Sequence, residues 1–109
     1  MLNGFWTVTF RAATDIGAGV VAVNNGKATG GDGSFTYIGP LTASGNGAVT
    51  GELKISRHSN LQPSVIPGLD NYSLLVSGTV TGDAFTLSGR IKGHQAQALA
   101  IHGKRIASI

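Results

Sequence analysis

The residues in this chain with the most distinctive chemistry lie in Gly30-Gly31-Asp32-Gly33. Flanking glycines open backbone conformations closed to other residues, and the carboxylate between them can accept backbone N–H bonds. A tight corner is the structural expectation. The chemical alternative, a loop that cradles an anion, needs a following helix and a suitably placed lysine, and neither is present. Phe35 and Tyr37, two apart in the next strand, point the same way; filling the core is favoured over lining a cavity. His58, His94 and His102 share no ligand-pair spacing, and the chain has no cysteine, so neither a metal nor a cofactor is expected. The acids Asp15, Asp32, Glu52, Asp70 and Asp83 are spread over loops and one polar strand face rather than paired for acid–base work. No serine sits on a strained elbow beside a histidine and an acid. Asp32 and His58 are thus the only candidates for chemistry at a barrel mouth, and the expectation is a protein that is not an enzyme.

The elements that must position these residues read as strands. Glycine makes up 17 of 109 residues, about 16 per cent against about 7 per cent in an average protein. With 41% apolar and 12% charged residues, the chain is turn-rich but has enough apolar surface for one core, and a single domain over 1–109 is expected. In Trp6-Thr7-Val8-Thr9-Phe10 the even positions are large and apolar, the alternation of a half-buried strand. Val49, Leu53 and Ile55 likewise oppose Thr50, Glu52, Lys54 and Ser56. Tyr72, Leu74, Val76 and Val80 oppose Ser73, Ser77 and Thr79, with Leu75 the exception, and Phe85, Leu87 and Ile91 oppose Thr86, Ser88, Arg90 and Lys92. Asn25-Gly26 supplies the positive φ angles of a type I′ hairpin turn, with weaker signals at Gly45-Asn46-Gly47, Gly82-Asp83 and Gly93-His94.

Eight strands follow, near 4–12, 17–25, 27–31, 34–41, 47–58, 71–81, 84–93 and 96–106, in an antiparallel meander. Ser59–Asp70 is the long connector; Pro63 and Pro67 exclude a ladder strand there, and a short helical turn with Pro63 near its start, or a loop, is expected over 59–70. So many short strands must close or stack, and closure into a small β-barrel is favoured, with Gly51, Gly78 and Gly89 at the sharp bends. An eight-stranded barrel is just wide enough to be filled by side chains or to hold one small ligand.

The order of features also resembles the GrlR-like family, small proteins typified by a negative regulator of bacterial type III secretion. The similarity is carried by Gly4-Phe5-Trp6, Gly17-Ala18-Gly19-Val20-Val21, Asn25-Gly26-Lys27, Gly30-Gly31-Asp32 and Tyr37-Ile38-Gly39. It runs from about residue 4 to 105 and includes Pro63-Ser64-Val65. The resemblance implies an eight-stranded lipocalin-like barrel, self-association as a homodimer, no enzymatic activity, and action by binding a transcriptional activator. The typical member binds its partner through an acidic cluster that would fall at Ala43-Ser44-Gly45-Asn46; those positions hold no acid here. A run of carboxylates is what attracts a basic activator, so the partner is left open.

A net charge of +3 is spread over scattered lysines and arginines, with Lys104-Arg105 the only dense spot, which argues against direct nucleic-acid binding. No apolar run approaches membrane-helix length, and Met1-Leu2-Asn3-Gly4 leads straight into strand-like sequence, so no membrane partner and a cytoplasmic location are expected. The leading expectation is a regulatory protein-interaction module. The alternative is a barrel holding an apolar small molecule, with Trp6, Phe10, Phe35, Tyr37 and Tyr72 as candidate lining.

Overall fold

The structure, a computed structural model, describes every residue except Met1, Thr14, Gln62, Val65 and Pro67, and of residues 94–97 the backbone only. Eight antiparallel strands form in chain order: β1 Gly4–Arg11, β2 Ile16–Asn24, β3 Lys27–Gly31, β4 Phe35–Ala43, β5 Ala48–Arg57, β6 Asn71–Thr81, β7 Ala84–Ile91 and β8 His94–Ala107. Each pairs with the next, and β1 pairs with β8, so the meander closes into a barrel. Closure satisfies both edges, which in an open sheet would present unpaired N–H and C=O groups.

The turns behave as their residues require. Asn25 and Gly26 both have positive φ, 52° and 81°, the type I′ pattern that leads directly from β2 into β3. The β7–β8 turn is Lys92-Gly93, one residue earlier than the Gly93-His94 signal indicated, because Gly93 supplies the positive φ (85°) at the second turn position and His94 already begins β8.

Inside the barrel, large and small side chains alternate around the circumference, as a tightly curved wall needs. Hydrogen-bonded registers place Leu41, Gly51, Val76, Gly89 and Leu99 in one interior row, and Val49, Gly78, Leu87 and Ile101 in the next. A Cβ on Gly78 would lie 2.8 Å from the Leu87 Cα, so these glycines are where neighbouring strands pack closest.

The end of the barrel beneath the β2–β3, β4–β5 and β6–β7 turns is filled. Trp6 is wholly buried, its ring centroid 4.7 Å from that of Phe85 and its indole N–H donating to the Leu2 carbonyl at 2.8 Å. The Arg105 guanidinium lies 4.5 Å over the Trp6 ring and donates to Asp83 at 2.5 Å. Half of the dense basic spot in the sequence is therefore structural: Lys104 faces out while Arg105 closes the base.

At the opposite end the 58–70 connector crosses the barrel. Its described residues form bends and extended chain with one turn at Gly68 (φ 83°), and the short helical turn expected there is absent from them. The reason is tertiary. Ser64 and Ile66 are both buried, a spacing of two that a helix would place on different faces, and the Ser59 hydroxyl donates to the Gly33 carbonyl at 2.5 Å, holding the segment against the β3–β4 turn. Val65 and Pro67, which entered the expectation, lie outside the described residues.

Candidate functional site: a half-hollow barrel

Filling stops midway up the barrel. Above the Trp6–Phe85 base a cavity of about 590 Å³ opens toward the end formed by the β1–β2 loop, the β3–β4 turn and the connector. Eight strands leave just this much room when the interior residues are not all bulky. The wall is mostly aliphatic and aromatic: Val8, Phe10, Phe35, Leu53, Ile55, Leu74, Leu87 and Leu99 all face it.

Polar groups gather at the open end. Asp32 Oδ1 accepts the backbone N–H of Ser34 and of Phe35, each at 2.8 Å, and its other oxygen accepts the Tyr37 hydroxyl. The Gly30-Gly31-Asp32 and Tyr37-Ile38-Gly39 segments are thereby one hydrogen-bonded unit. Gly30 and Gly31 let β3 lie tightly between its neighbours, since a Cβ on Gly30 would come within 2.6 Å of the Val21 Cα and one on Gly31 within 2.6 Å of the Phe35 carbonyl. Gly39 does the same toward β5, its Cβ position lying 3.2 Å from the Leu53 Cα. Gly19, opposite on β2, leaves the space the Tyr37 ring end occupies. The tight corner expected at Asp32 is present, and the two N–H groups an anion would need are already taken by Asp32 itself.

The register Gly30–Tyr37–Ile55–Tyr72 sets both tyrosines in one row of the cavity wall, with Phe10 edge-on to Tyr37 at 5.0 Å between centroids. Burial, with the hydrogen bond to Asp32 and that carboxylate's charge added, holds the Tyr37 hydroxyl far above the usual tyrosine range. Tyr72 is pushed up to about 12 by burial and by the Asp32 charge, against a lowering hydrogen bond with Ser64. Both hydroxyls are neutral hydrogen-bonding groups at physiological pH.

Of the five aromatics singled out as candidate lining, Phe10, Phe35, Tyr37 and Tyr72 bound the cavity. Phe35 and Tyr37 are buried, yet instead of filling the core they form the cavity wall. Trp6 does not line it; it packs below, with Phe85 between its ring and the hollow. Sequence reasoning missed Asp15, Ser64 and Pro63 at the mouth, loop residues outside any periodic pattern.

Asp32 and His58 do meet, but through the Asp32 backbone carbonyl, 2.9 Å from the His58 Nε2, not through the carboxylate. Ala43-Ser44-Gly45-Asn46 lies at the closed end, away from the cavity, and is a tight turn in which the Asn46 side-chain carbonyl accepts the Ala48 N–H at 3.1 Å and the Ser44 hydroxyl. Among the described residues no three histidines, cysteines or acids come together as a metal site, and no helix is long and apolar enough to cross a membrane. No protein-family model matches the chain, and no curated protein matches it.

Proposed function

We propose that this protein takes up an apolar small molecule through the open end of its barrel. The observation that carries the reading is the cavity of about 590 Å³, within the size range of small-molecule sites and apolar over most of its wall, with a few convergent polar groups at one end. The filled base argues that the hollow is not loose packing throughout: Trp6, Val23 and Val49 are at most 1% exposed. A native mass spectrum of protein gently purified from its own cells tests the reading. A small added mass that disappears on denaturation is expected; a bare chain mass that stays bare after incubation with apolar compounds of drug size contradicts it.

A second reading, a cytoplasmic homodimeric regulator acting on a protein partner as the GrlR-like resemblance implies, is supported by a different surface. On the outside of β1–β4 the register aligns Phe5, Ala22, Thr29 and Ile38, with Thr7 and Val20 alongside. Phe5, Val20 and Ile38 are 45%, 54% and 41% exposed, and no charged residue occurs between Ile16 and Gly26. This exposed apolar and β-branched patch, with Arg11 and Lys27 towards its ends, suits self-association.

A further inference from the structure

The charge of the cavity narrows the chemistry of its occupant, an inference that rests on the small-molecule reading above. Among the described residues that line it, the acidic side chains are Asp15 and Asp32, and no lysine, arginine or histidine contributes. The cations near the mouth are committed elsewhere. Arg57, the cross-strand partner of Phe35 at the rim, lies 4.5 Å over the Phe35 ring, and donates to Asp70 at 2.8 Å and to the Ser59 carbonyl at 2.9 Å. Lys92 pairs with Glu52 at 3.7 Å, and Arg11 lies on the outer face of β1. His58 is turned to the Asp32 carbonyl.

Among the described lining residues, the Tyr72 and Ser64 hydroxyls can donate and accept, and the carboxylate oxygens only accept. An incoming carboxylate would lose its water shell beside two carboxylates with no cation among the described lining residues to pair with, whereas a hydroxyl or ammonium group finds acceptors. We infer that the cavity selects apolar molecules whose polar end is a neutral or cationic hydrogen-bond donor, and discriminates against fatty-acid-like anions.

Three probes with the same tail, decanol, decylamine and decanoate, compared by isothermal titration calorimetry at neutral pH and low salt, test this on the wild-type chain. Decanol and decylamine are expected to bind at least about tenfold more tightly than decanoate, the difference an unpaired buried charge imposes. Decanoate binding as tightly as decanol overturns the inference and leaves the small-molecule reading standing; no binding of any probe overturns both. Asp32→Asn keeps a side-chain oxygen for the Ser34 and Phe35 N–H groups, and Asp15→Asn changes only a rim residue. In the double variant the affinity gap between decanol and decanoate is expected to narrow several-fold, since the two charges that penalise decanoate are gone. An unchanged ratio overturns the assignment of selectivity to these two carboxylates.

Discussion

At the scale of single residues, a few side chains carry the base and others face the hollow. Truncating Trp6 to Ala removes the largest buried side chain, with its contacts to Phe85 and Arg105. A loss of about 3–5 kcal/mol is expected in urea denaturation, whereas Thr7→Ala, on the outer face of the same strand, should change stability by less than about 0.5 kcal/mol. Equal midpoints for the two would contradict the register. Tyr37 and Tyr72 are the only tyrosines, so absorbance near the phenolate band reads them alone. Their folded-state values are raised, so the stability linked to them is full below about pH 10, where unfolded tyrosine is still protonated, and is lost as pH rises above that, because the unfolded chain releases these protons first. Phenolate absorbance should therefore lag behind that of free tyrosine, with Tyr72 titrating near 12 and Tyr37 appearing only as the fold gives way. Two tyrosines titrating normally while the far-ultraviolet circular dichroism stays native would contradict the Asp32–Tyr37–Tyr72 arrangement.

At the scale of strands and turns, alternation of large and small interior residues lets so narrow a barrel close. A Cβ on Gly103 would run into the Phe85 ring, so Gly103→Ala should cost about 1–3 kcal/mol by overpacking, while Gly45→Ala, with nothing within 4 Å of the new Cβ, should be close to neutral. Thermal unfolding of the two variants checks this, and comparable melting points would contradict the packing described. The period-two runs made these elements legible: every apolar position named on β1, β5, β6 and β7 lies inward, Leu75 alone facing out as the sequence flagged. Asn25-Gly26 likewise declared its own turn. The connector did not, because its course is set by what it is tied to, Gly33 through Ser59 and the core through Ile66, and not by local preference. Arg105 over Trp6 was equally hidden, a contact between opposite ends of the chain that only closure of β1 against β8 creates.

At the scale of the whole molecule, one end of the barrel is solid and the other hollow. Whether eight strands enclose a cavity depends on the summed volume of side chains brought in from all of them, so the alternation that reveals each strand is silent about it. The aromatics themselves were visible in sequence; their sorting into base and wall was not. On the outside, if the apolar patch of the β1–β4 face pairs two copies, Val20→Lys should shift sedimentation velocity from dimer to monomer without loss of ligand binding, and an unchanged dimer would remove that face from consideration. The claim most exposed to test is that the hollow itself is the binding site. Calorimetry with decanol on the wild-type chain and on Leu53→Trp, a substitution on the cavity wall that fills the hollow from β5, addresses it directly. The account predicts one bound molecule in the wild type and at least about tenfold weaker binding in a variant that remains folded; equal affinity in the two proteins would show that decanol binds elsewhere and contradict it.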